Sequence, residues 1–137
     1  MHEIVVDFFE AGGSAGLRLL WEADGVHKQP VPATALFSKP LYGVTGYFYL
    51  IKRRMYRLPQ FKGRQPRKAM VVDTVDFPIT TEGKSWPGLN IEFTKQYLAQ
   101  FKGYVNVTKG GTWRFYTQSS DGSRLYIDGR QVNVVVW

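Results

Sequence analysis

The sequence contains no cysteine. That excludes a disulfide framework, a thiolate zinc or iron–sulfur site and a cysteine nucleophile, and it leaves the redox compartment unspecified. Histidine is nearly as scarce. His2 and His27 form neither an H-E-x-x-H nor an H-x-H pair, so a histidine metal site is not expected. No run approaches the ~18 consecutive apolar residues of a membrane span. Met1-His2-Glu3-Ile4 also lacks the basic, apolar, small-residue order of a secretory signal. With 44% apolar and 21% charged residues, the chain has the balance of a folded domain rather than a disordered tail. Its 137 residues suit one domain. Such a domain buries roughly two-thirds of the surface its unfolded chain exposes.

The net charge of +7 is concentrated in one place. Lys52, Arg53, Arg54, Arg57, Lys62, Arg64, Arg67 and Lys68 are eight of the 18 basic residues, and no acid lies between Lys52 and Val72. Removing those eight leaves ten basic residues against 11 acidic ones, so the remainder is about neutral. The same segment carries Tyr56, Pro59, Phe61, Gly63 and Pro66, which marks a loop. A concentrated basic loop can bind phosphates, acidic glycans or an acidic protein face. It can equally be a solvated excursion between strands, or one covered by a neighbouring chain.

Hydrophobic periodicity is two almost throughout, the signature of strands. Glu3 to Glu10 (EIVVDFFE), a glycine-rich turn at 11–16 and Leu17 to Trp21 read as a hairpin, with Arg18 facing away from Leu17 and Leu19. Residues 22–40, with Gly25, Pro30, Pro32 and Pro40, are expected to run extended along a surface. In Thr112 to Ser119, Trp113, Phe115 and Thr117 share one face, and Arg114, Tyr116 and Gln118 share the other. In Arg124 to Asp128, Leu125 and Ile127 point opposite to Tyr126. Turn signals at Lys109-Gly110-Gly111 and Ser120-Asp121-Gly122 join three short strands. Phe93 to Leu98 could make a helical turn, and Phe101 to Val107 suits a strand. The expected fold is all-β, an antiparallel sandwich or barrel with little helix.

Several motifs that mimic active sites fail on context. Gly12-Gly13-Ser14-Ala15-Gly16 has the form of a nucleophile elbow, but that elbow needs a helix after it and a strand follows here. His2 and His27 are the available histidine bases. No lysine follows in the spacing of a phosphate-binding loop. Asp73 and Asp76 have no partner base and are expected on solvated surface. Asn106-Val107-Thr108 is an N-glycosylation sequon within an expected strand. Tyr104, Trp113, Tyr116 and Tyr126 could stack on sugars, with Tyr116 and Tyr126 expected on an outer face. No catalytic constellation emerges, so the chain is not expected to be an enzyme.

The segment FKGYVNVTKGGTWRFYTQSSDGSRLYIDG (101–129) resembles the anthrax protective-antigen fourteen-kilodalton domain family. Gly103-Tyr104, Trp113-Arg114-Phe115, Asp121-Gly122-Ser123-Arg124-Leu125 and Ile127-Asp128-Gly129 carry the likeness. Gly43-Val44-Thr45-Gly46-Tyr47-Phe48-Tyr49 is similar to the family's opening strand, and Trp86-Pro87-Gly88-Leu89 to a later segment. Residues 1–38 resemble its closing hairpin and tail. The ending therefore precedes the beginning, with 39–42 as a linker and 43–137 as the front and centre of a sandwich. A boundary between tandem repeats, a circular permutation or an incomplete sequence would each produce that order. An uncovered strand edge, paired by a neighbouring chain or repeat, is expected in every case.

The resemblance implies a β-sandwich interaction module of an extracellular or surface assembly, docking to a glycan or a neighbouring protein. Ligand contacts would come from Ser120, Asp121, Gly122, Asp128, Tyr116 and Tyr126. Many sugar-binding members of that family hold calcium with two adjacent aspartates, and Ser120 replaces the first here. Asp121, Asp128 and Asn133 could still offer oxygens, yet one formal charge is lost and turn capping by the two aspartates is the alternative. No other cofactor is implied. Two rival readings are polyanion or nucleic-acid binding through 52–68, with Tyr56 and Phe61 stacking on bases, and an accessory carbohydrate-binding domain of a larger enzyme.

Overall fold

A computed structural model describes residues 1–38, 41–132 and 135–136. It is an all-β sandwich of two packed sheets. The first sheet is built from β1 (His2–Glu10), β4 (Leu36–Ser38), β5 (Leu41–Tyr42), β6 (Val44–Leu50), β7 (Lys68–Val72), β9 (Tyr97–Val105), β11 (Ser123–Ile127) and β12 (Arg130–Val132). The second holds β2 (Leu17–Ala23), β3 (Val26–Pro30), β8 (Asp76–Phe77), β10 (Trp113–Ser119) and β13 (Val135–Val136). Among the described residues every pairing is antiparallel except that of β10 with β13. Among the described residues, helix is confined to short 3-10 turns at Ala33–Ala35 and Ile91–Thr94, and no helix is long and apolar enough to cross a membrane.

The expected opening hairpin does not form. β1 and β2 do not pair. β1 lies between β11 and β9 in the first sheet, with Val6 opposite both Leu125 and Phe101, whereas β2 pairs with β10 in the second. Residues 11–16 are therefore an arch that carries the chain from one sheet to the other. The burial of β1 explains why: Ile4, Val6 and Phe8 face the core while Asp7 and Phe9 are covered on the opposite side. A hairpin arm would leave one of those faces in water. Segment 22–40 is not a surface runner either, since it supplies β3 and β4 and buries Val31 and Leu36 completely.

Residues 1–38 and the later chain thus interleave in both sheets and form one body. The expected linker at 39–42 separates nothing, because Leu41 and Tyr42 pair with Ser38 and Phe37; Lys39 and Pro40 lie outside the described residues. Between the sheets, Ile4, Phe8, Phe48, Phe101 and Leu125 meet Leu17, Leu19 and Trp21. Trp86, in the connection after β8, closes one end. It stacks on Phe77 (centroids 4.3 Å apart), packs on Phe8 and donates its indole N–H to the Ala15 carbonyl at 3.1 Å.

Candidate functional site

The residues expected to bind a ligand through the family resemblance do not converge. Tyr116 is on the outer face of the second sheet, where its hydroxyl donates to the Glu22 carboxylate and Lys28 Nζ sits 3.9 Å above its ring. That hydrogen bond to a carboxylate raises the Tyr116 hydroxyl above its usual range. Tyr126 is on the first sheet, opposite Val5. The two outer faces look in opposite directions. Asp121 and Asp128 lie beyond opposite ends of β11, whose four steps alone span about 13 Å. They cannot ligate one ion. Asn133, the third oxygen donor expected, lies outside the described residues, and no group of three His, Cys, Asp or Glu gathers among those described.

Both aspartates have structural partners. Asp128, at φ 51°, accepts the Glu3 N–H at 3.0 Å and meets His2 Nδ1 at 2.5 Å, contacts that hold its carboxyl below the ordinary range. Asp121 accepts the Ala11 N–H at 3.1 Å, and the Ser120 hydroxyl accepts the Gly16 N–H at 3.0 Å. The turn at 119–122 is thereby fastened to the arch at 11–16. Gly122 is required by packing, because a Cβ there would come within 2.2 Å of the Phe9 ring.

Glu10 joins these two turns and was not singled out from sequence, where it reads as an acid at a strand end. It faces inward, fully buried, beside its register partner Tyr97. The Gly12 N–H donates to one carboxylate oxygen at 2.9 Å and the Ser120 hydroxyl to the other at 3.3 Å. Burial and the neighbouring Asp121 carboxyl push Glu10 up to about 8, so at neutral pH it holds a proton. Tyr97 is driven upward as well, by its own burial and then by the Glu10 and Asp121 charges, and among the described residues its hydroxyl has no hydrogen-bond partner.

Candidate catalytic groups gain no support from geometry. Ser14 lies in the arch without a hydrogen bond to either histidine, and His27 is exposed on β3. Asp76, expected on solvated surface, instead pairs with Arg18 at 2.7 Å. The sequon asparagine Asn106 falls just past the end of β9 rather than inside a strand, and its N–H donates to the Ala35 carbonyl.

The basic segment is where chemistry remains unspent. Residues 51–67 leave the end of β6, cross the outer face of the first sheet as a strap and return at β7. Met55 is buried against Phe9, Tyr49 and Leu98, with Ile51, Leu58 and Phe61 packed around them. Phe61 meets Tyr49 edge to face (centroids 5.5 Å), which removes it from the set of stacking residues expected for nucleic acid. Hydrogen bonds tether the strap along its length. Ile51 N–H donates to Gln96 O at 2.9 Å, Arg67 N–H to Phe48 O at 2.7 Å, and Arg124 Nη2 to Pro59 O at 3.2 Å. Arg124 also meets Asp7, 3.6 Å away, and Gln100 donates to the same carboxyl. Burial still raises Asp7 despite those partners.

With its apolar side chains committed downward, the strap presents its charge outward. Lys52, Arg53, Arg54, Arg57, Lys62, Arg64 and Arg67 are exposed and Lys68 is half-buried. Among the described residues the one ion pair these eight cations make is Arg67 with Glu92, at 3.4 Å. Tyr56 is 83% exposed, with the Arg54 guanidinium 5.6 Å from its ring centroid. Comparison of the chain with protein-family models, with curated proteins and with solved structures finds no match.

Proposed function

We propose that this chain is a non-catalytic β-sandwich interaction module, of the protective-antigen fourteen-kilodalton type in permuted order, that engages an acidic polymer or acidic protein face within a surface or extracellular assembly. The observation that carries the reading is the strap: seven exposed cations sharing one ion pair, on a backbone held in place by buried Met55 and Phe61 contacts. Unpaired cations on an ordered surface raise the local concentration of anions and lose little conformational entropy when an anion arrives. A solvated, unstructured excursion would need no such anchoring.

Charge reversal tests this directly. Replacing Arg53, Arg54 and Arg57 by Glu should weaken binding to an anionic polymer at least tenfold, while three reversals at Lys28, Lys84 and Lys109 should change it little. Equal effects of the two sets would defeat the reading. Nucleic acid is the second reading, favoured by Tyr56, whose exposed ring beside Arg54 offers a stacking platform.

A further inference from the structure

The strap's charge is not presented evenly. Lys52, Arg53 and Arg64 converge on a concavity of about 420 Å³ whose remaining lining includes Leu50, Met55 and Pro59. No acid lines it. Its volume is in the range of small-molecule sites, and its lining combines an apolar wall with three cations. Two of the walls are fixed. Arg64 Nε donates to the Gln60 carbonyl at 2.8 Å and its backbone N–H to the Phe61 carbonyl at 3.1 Å, which holds the guanidinium and leaves its terminal nitrogens available. The Ile51 N–H is bound to Gln96 O, and Met55 is buried, so the Lys52–Arg54 bend is clamped on both sides.

We propose that this concavity binds the terminal phosphate monoester of a nucleotide, free or at the end of a single strand. The inference rests on the strap being the anion-binding surface and goes further by naming a site and its ligand. Charge selects the monoester. Near neutral pH it carries ~1.5 to 2 negative charges, with a second pKa of about 6, whereas an internal phosphodiester or a sulfate ester carries one. Three cations complement the dianion best, and a guanidinium fork can take two of its oxygens at once. The apolar lining then faces the sugar and base. Tyr56 follows Arg53 by three residues, which places its Cα within about 11 Å. That is close enough for its exposed ring to take the next base.

Titrations of the intact chain with a short single strand bearing a terminal phosphate, against the same strand ending in hydroxyl, test the proposal. The phosphorylated strand should bind roughly tenfold tighter, with the preference fading below about pH 6 as the monoester takes its second proton. Arg64→Gln should abolish the preference, weakening the phosphate-ended strand about tenfold more than the hydroxyl-ended one. Arg57→Gln, outside the concavity, should weaken both strands alike. Competition by adenosine monophosphate as strong as that of the phosphorylated strand would identify a free nucleotide as the ligand, and much weaker competition a strand end. Equal affinity for the two strands, or displacement by a sulfated disaccharide as effective as by the monophosphate, would overturn the proposal. Salt-sensitive binding without end preference would overturn this site alone. Absence of any salt-sensitive binding would overturn the strap reading with it.

Discussion

Glu10 holds its carboxyl between the two turns that fasten the sheets together, accepting from the Gly12 N–H and the Ser120 hydroxyl. The unfolded chain ionises this residue near pH 4.5, and the folded chain near 8. Between those values the folded state keeps a proton that the unfolded state has released. Stability therefore falls as pH rises through that window and levels off above it. Among the described residues, Asp121, Ser120, Tyr97 and the Gly12 N–H are the polar groups around it, and none is a cation. Urea unfolding between pH 5 and 9 should show a loss of about 1 kcal/mol or more for the native sequence. Glu10→Gln should flatten that slope, and an unchanged slope would mean that Glu10 does not hold the proton. Gly122→Ala tests a different residue-scale demand. The added Cβ must displace the Phe9 ring, so a loss of about 1–3 kcal/mol is expected in the same measurement; a neutral result would contradict the close packing described.

At the scale of elements, strands were easy to read and their partners were not. The alternation of Trp113, Phe115 and Thr117 with Arg114, Tyr116 and Gln118 survives intact in β10, with Thr117 fully buried. The pairing of β1 is not legible locally, because a glycine-rich turn between two strands has the same local chemistry whether it closes a hairpin or an arch. The discriminating signal was present in EIVVDFFE: apolar residues at adjacent positions, as a strand covered on both faces requires. Ser120 and Asp121 were legible as turn residues, but their fastening to Glu10 and Ala11 depends on two segments far apart in sequence. The strap's cations were plain from composition. Its anchoring by Met55, Leu58 and Phe61 was not, since apolar residues spaced irregularly in a loop reveal no face. That anchoring is testable by limited trypsin digestion. The native chain should resist cleavage within 52–68 despite its many Lys and Arg bonds, and Phe61→Ala should open it. Rapid cleavage of the unaltered chain there would show that the strap is not held.

On the scale of the whole molecule, residues 1–38 and the chain that follows are inseparable because β1 sits in the middle of the first sheet and β2 pairs along the length of β10. A fragment beginning at Gly43 lacks both strands and should not fold alone, whereas mixing it with residues 1–38 should restore sheet structure in a circular dichroism spectrum. Independent folding of the fragment would contradict the single interleaved body. That body gives the strap a rigid platform, and an electrostatic contact made on such a platform has a defined salt response, because each neutralised phosphate releases condensed counterions. The affinity for a single-stranded anionic polymer, measured from low to near-physiological salt, is the most direct test. With three to five contacts from the strap, the log–log slope should be roughly −2 to −4, and it should shrink toward zero when Arg53, Arg54 and Arg57 are replaced by Glu. Binding that ignores salt, or a slope unmoved by those replacements, would contradict the account.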